Sequence, residues 1–99
     1  MDYKVAVKTP LGRFNTIVEI TYSEDGSLIG EFVIMGLKST FTGKKLEEEK
    51  IDLNGMINTP IGPVEYSSRA NVKEKDFEGV AHTKVGDFEF MPLVRKKRR

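Results

Sequence analysis

Apolar and polar residues alternate with a period of two along most of this 99-residue chain, the pattern of strands with one buried and one wet face. In the second predicted strand Phe14, Thr16, Val18, Ile20 and Tyr22 share a face. In the fifth, Ile51, Leu53 and Ile57 oppose Asp52, Asn54 and Asn58, and in the sixth Val64, Tyr66, Ala70 and Val72 oppose Glu65, Ser67, Arg69 and Asn71. The alternation predicts eight strands, at 2–8, 13–22, 28–35, 39–45, 50–59, 63–72, 76–83 and 87–94. No segment keeps a helical period. The charged stretch KKLEEEK at 44–50 is the nearest candidate, and it reads as the longest loop or a single helical turn.

Glycines punctuate this pattern. Gly12, Gly36, Gly62 and Gly86 stand 24, 26 and 24 residues apart, the length of one hairpin plus the link to the next. Two of them close the near-identical turns Thr9-Pro10-Leu11-Gly12 and Thr59-Pro60-Ile61-Gly62. A third, Thr83-Lys84-Val85-Gly86, lacks the proline, and at 34–36 only the glycine remains. Proline in second place presets φ, and glycine in fourth place takes a left-handed conformation, which predicts three-residue hairpin loops closed by a bulge. A second set, Gly30, Gly55 and Gly79, falls inside predicted strands with Gly43, where glycine marks a bulge or a tight bend at a barrel corner.

If neighbouring strands pair in sequence, the four turns share one end and the charged segments SEDG, KKLEEEK and KEKD share the other. Together these features predict an all-β, eight-stranded antiparallel meander closed into a small barrel, lipocalin- or streptavidin-like in outline, with two packed sheets as the alternative. Closure removes the exposed edges that invite aggregation. In this register all nine aromatic residues, Tyr3, Phe14, Tyr22, Phe32, Phe41, Tyr66, Phe77, Phe88 and Phe90, face inward. Residues 1–94 form the single domain, and 95–99 a basic disordered tail.

The repeated turns resemble those of a group of small bacterial all-β domains of unknown function. These carry TPxG hairpins and are found free-standing or appended to larger enzymes, including flavin-dependent reductases. The matching residues are Thr9, Pro10, Gly12, Gly55, Thr59, Pro60, Gly62, Gly79, Thr83 and Gly86, within residues 4–92. Lys84 departs from the pattern. The resemblance implies the fold and an accessory or binding role, and it supplies no catalytic residues.

Composition narrows the chemistry. The absence of cysteine removes disulfides, thiolate metal sites and cysteine nucleophiles. With a single histidine, His82, a zinc site would need carboxylates for its other protein ligands, so no metal or cofactor is expected. No apolar run approaches the roughly 20 residues of a membrane span. The N-terminus lacks the basic and apolar regions of a secretion signal, so the expected location is cytoplasmic, with no membrane partner. The net charge of +1 divides into +5 on the terminal RKKRR and −4 on residues 1–94. The body therefore lacks the basic face of a nucleic-acid binder, and contact with nucleic acid is expected only through the tail.

Three candidate sites follow, all non-catalytic. The barrel interior offers a small apolar or aromatic ligand Tyr3, Tyr22, Phe32, Tyr66, Ser68, Phe88 and Phe90, with room opening at the small positions Gly55, Ser68, Ala70, Gly79 and Ala81. On the outer face, alternation exposes Ile17, Ile29, Val33 and Met35 on adjacent strands, a patch for self-association or for docking on an enzyme. The tail is the third. Pro10, Gly12, Gly36, Pro60, Gly62 and Gly86 are assigned to the turns. Catalysis has no support: there is no nucleophile elbow or phosphate loop, and GLKST at 36–40 lacks the required glycine spacing. No spacing places Asp52, Glu65 and Glu89 in one cleft.

Overall fold

The computed structural model describes residues 1–47, 49–73 and 76–93. The domain boundary at 94 and the tail at 95–99 lie outside them. Eight strands follow in order: β1 (Asp2–Thr9), β2 (Gly12–Tyr22), β3 (Ser27–Ile34), β4 (Leu37–Lys45), β5 (Lys50–Thr59), β6 (Gly62–Lys73), β7 (Asp76–Thr83) and β8 (Gly86–Pro92). Each pairs antiparallel with the next and β8 returns to β1, so the meander closes as a barrel rather than as two sheets. The barrel is flattened to 19 Å in its thinnest direction, which brings facing walls into direct packing. Its buried apolar residues, Ala6 apart, form one core cluster fed by all eight strands.

The four turns that share a rim are shorter than predicted. Thr9 pairs with Gly12, Ile34 with Leu37, Thr59 with Gly62 and Thr83 with Gly86, leaving two residues in each loop. Two-residue loops usually carry positive φ at both central residues, which proline forbids. In the TPxG turns the positive φ moves onto the paired glycine instead: +130° at Gly12, +116° at Gly62 and +124° at Gly86. Threonine completes the motif. Thr9 Oγ1 accepts the Leu11 N–H at 2.9 Å and donates to the Gly12 carbonyl at 2.8 Å, and Thr59 and Thr83 repeat both bonds. The turn at 34–37 uses the other solution, with positive φ at Met35 (53°) and Gly36 (74°), as in a type I′ turn.

Because Lys84 stands where two sister turns carry proline, and its turn keeps the same threonine bonds, Lys84→Pro is expected to stabilise the fold by about 0.4–1 kcal/mol through the unfolded state. The urea midpoint reports it. A lower midpoint would mean that the Lys84 backbone departs from the Pro10 and Pro60 geometry.

The strand glycines are not bulges, since the ladders run through them without a break. They make room. Phe41 lies opposite Gly30 on one side and Gly55 on the other. A Cβ on Gly30 would meet the Phe41 ring and lie 2.6 Å from the Glu19 carbonyl oxygen. The row Gly30, Phe41, Gly55, Tyr66 across β3 to β6 thus alternates small and large, by which small barrels fill their interiors.

Towards the turn rim, ladders between successive hairpins part. β2 and β3 pair only from Glu19 opposite Glu31 to Tyr22 opposite Leu28, and β4 and β5 only from Phe41 opposite Gly55 to Lys45 opposite Ile51. Side chains take over the backbone partners there, as buried amides require. The fully buried Ser39 Oγ accepts the Asn58 N–H at 2.8 Å, and Asn58 Nδ2 donates to the Lys38 carbonyl at 2.7 Å. Thr16 Oγ1 accepts the Val33 N–H at 3.3 Å.

At the opposite end, Asp25 Oδ1 accepts the Ser27 N–H and hydroxyl, which hold its carboxyl below the usual range. The loop after β4 is not helical among its described residues, and it has Glu49 at φ 73°. Both loops lean on later strands: the Lys45 N–H donates to Gly26 and the Val72 N–H to Glu49.

Candidate functional site

The interior is filled. A run of rings crosses it, with centroid separations of 5.8 Å for Tyr3 and Phe77, 6.0 Å for Phe77 and Phe90, 5.4 Å for Phe90 and Phe32, and 6.1 Å for Phe32 and Phe41. Among the described residues the space left between these walls is a cavity of about 10 Å³, bordered by Phe32, Phe41, Tyr66, Ser68, Phe77 and Phe90. That volume is at the lower limit for a single water, so the interior as it stands has no room for an aromatic ligand.

The seven residues predicted as a ligand site are therefore reassigned. Tyr3, Phe32, Phe88 and Phe90 are buried core, and Phe88 does not border the residual cavity. Tyr66 is buried too, which raises its phenol pKa above the ordinary value. Ser68 is half-buried. Tyr22 leaves the inward set: it sits at the end away from the TPxG turns, 36% exposed, with its hydroxyl 3.1 Å from that of Tyr3. Burial and then this hydroxyl contact push its phenol pKa upward. Phe14, also predicted inward, is half-buried and packs on the edge of the core.

The outer wall also departs from expectation. Ile17, Ile29 and Val33 are exposed, but Met35 packs against the core. Its left-handed φ turns it off the outward line that strict alternation assigns. Nor do the three remaining residues form one patch. Ile17 and Val33 border a groove with Lys4, Thr16 and Leu93 where β2 and β3 part, whereas Ile29 borders a separate groove with Met56. Glu19 and Glu31, directly opposite each other, lie on both grooves and divide them; Lys38 Nζ is 3.5 Å from Glu31.

A third surface, across β5 to β8, is polar. It contains Asp52, Asn54, Ser67, Arg69, His82 and Glu89. Arg69 Nε lies 3.0 Å from Asp52 Oδ1, and His82 Nδ1 lies 3.1 Å from Asp87 Oδ1, with all four side chains well exposed. Such pairs contribute at most about 1 kcal/mol to stability. The strand register sets no acid–base candidate directly opposite another: Asp52 stands opposite Arg69, Glu65 opposite Met56, and Glu89 opposite Val80 and Lys8, although Asp52 and Glu89 border this same groove and Glu65 a different one. Among the described residues no group of three or more His, Asp or Glu side chains is placed to hold a metal ion, and no helix is long and apolar enough to cross a membrane.

One feature of the rim lay unread in the sequence. The third position of each TPxG-type turn carries an exposed aliphatic residue: Leu11 at 52%, Ile61 at 72% and Val85 at 47%. Turns favour Gly, Asn, Asp and Ser, so three aliphatic residues in that place were the available signal. The first and fourth turns touch, since a Cβ on Gly86 would fall 2.7 Å from Pro10 Cγ.

No family model, curated protein or solved structure matches this chain. The likeness to TPxG domains therefore rests on the turn residues and the strand glycines Gly55 and Gly79 alone.

Proposed function

We propose that the protein is a non-catalytic interaction module in which the barrel interior is scaffold and the outer surface does the binding. The observation that carries this reading is the filled interior, with its cavity of about 10 Å³, beside exposed aliphatic side chains on an open wall groove. Ile17, Val33 and Leu93 border that groove where β2 and β3 lack a shared ladder. Lys4 on one side and Glu19 and Glu31 on the other give a contact there a polar rim, as interaction surfaces commonly have. Self-association through this wall, or its docking on an enzyme, is the activity proposed.

Sedimentation velocity over a wide concentration range tests the self-associating form. Association is expected to weaken at least about tenfold in Ile17→Lys and Val33→Lys, because a cation in the contact must be desolvated without a partner. Unchanged circular dichroism would show that the fold survives. A strict monomer at high concentration, together with no loss of enzyme capture in the two variants, would remove the reading.

A further inference from the structure

We propose that the rim bearing Leu11, Ile61 and Val85 is a peripheral contact surface for anionic lipid. This goes beyond the wall groove, uses none of its residues, and revises the sequence-based expectation of no membrane partner. Three aliphatic side chains stand exposed at the tips of three turns on one end of the barrel. Nothing in turn chemistry asks for them there.

One amide and one carbonyl of each of these turns are satisfied from within by its threonine. The amides of Leu11, Ile61 and Val85 donate to threonine Oγ1, and the same hydroxyls donate to the carbonyls of Gly12, Gly62 and Gly86. Pro10 and Pro60 have no N–H to desolvate. Moving a peptide group out of water is costly unless it is hydrogen-bonded, and these bonds lower that cost at the tips. The turn at 34–37 makes the contrast: it has neither proline nor threonine, and its Met35 packs back on the core.

Charge selects the surface. Lys8 and Arg13 flank the first turn and Lys84 lies within the last, and none of them is in an ion pair among the described residues. Lys38, flanking the second turn, is held by Glu31. Asp87 is the only acidic residue immediately flanking the four turns, and it is engaged by His82. The other end of the barrel mixes Glu24, Asp25, Glu47, Glu49 and Asp76 with Lys44, Lys45, Lys50 and Lys73, whereas the charges beside the turns are mainly basic, so the rim is the apolar end that a negative surface favours. The tips are exposed and borne on separate turns. A bilayer interface, which accepts shallow side chains in any pattern, fits them better than a protein partner, which needs a matched contour.

Flotation of the full chain with phosphatidylcholine vesicles, with and without phosphatidylserine, tests this. Binding is expected only with phosphatidylserine and should fall with added salt. The combined Leu11→Ser, Ile61→Ser and Val85→Ser variant should bind roughly tenfold or more weakly, and Lys84→Gln roughly fivefold more weakly. Circular dichroism should be unchanged in both, since the substituted side chains are exposed. The chain has no tryptophan, so Ile61→Trp adds a lone reporter whose emission should shift to the blue on phosphatidylserine vesicles only. Absence of wild-type binding, or an unshifted emission, overturns the proposal. Equal binding by the triple variant, which keeps RKKRR, assigns the effect to the tail and also overturns it. So does failure to bind vesicles combined with capture on immobilised polyglutamate that the triple variant loses, which would make the rim an acidic-protein dock.

Discussion

Phe90→Ala is expected to lower the unfolding free energy by about 3–5 kcal/mol, out of a total of about 5–15 kcal/mol for a domain of this kind. Phe90 is buried at the crossing of the aromatic run, 5.4 Å edge-on from Phe32 and 6.0 Å from Phe77. It lies opposite Gly79 on β7 and Val7 on β1. Truncation removes the transfer energy of the ring and opens a void continuous with the existing cavity of about 10 Å³. Urea denaturation measures the loss, and a small apolar probe such as benzene should bind the variant and raise its midpoint. A loss below about 1 kcal/mol would contradict close packing. It would mean that the barrel already has slack, and the small-ligand reading of the interior would regain its room.

Strand positions were legible because alternation is a local property. The faces of Val18, Ile20, Ile51, Leu53 and Ile57 follow from their spacing, and each is buried as that spacing predicts. Turn sites were legible for the same reason, since proline and glycine declare themselves. Loop length was not, because it depends on whether the glycine remains in the ladder, which only pairing decides. The state of the interior was also hidden. Nine aromatic residues are compatible with a lined pocket or a packed core, and the flattening of the barrel, a property of the closed sheet as a whole, decides between them.

Three residues show how local rules give way. Met35 is outward by parity, yet the turn places it at φ 53° and it packs on the core. Ser39, in a segment screened for a phosphate loop, is fully buried and replaces a ladder acceptor for Asn58. Ile29 is exposed as parity requires but is cut off from Ile17 and Val33 by two facing glutamates. In the last case register across strands controls the outcome, and alternation within one strand carries no information about it.

Gly55→Ala should cost about 1–3 kcal/mol or more, the range for forcing volume into a packed core, although only one methyl is added. Gly55 lies between Phe41 and Tyr66, and its φ is not in the left-handed region, so the penalty is steric rather than conformational. An added Cβ would stand 2.8 Å from the Thr40 carbonyl oxygen, 3.0 Å from Phe41 Cβ and 3.1 Å from Phe41 Cα. None of these atoms belongs to the end of a flexible side chain, so relief requires β4 and β5 to move apart. They are already separated towards the rim, where Ser39 and Asn58 span the gap. Strain at Gly55 should therefore propagate to that bridge and speed hydrogen exchange at the Asn58 amide more than at strands across the barrel. Gly26→Ala is the control: its φ is +92° with no atom within 4 Å of a new Cβ, so its cost is conformational, on the order of 1–2 kcal/mol, and should leave Asn58 exchange unchanged. Shortening Phe41 to leucine in the Gly55→Ala background should not restore stability, because the clash is with the backbone and Cβ. Recovery in that double variant would show that the ring, and not the closeness of β4 and β5, makes this position glycine.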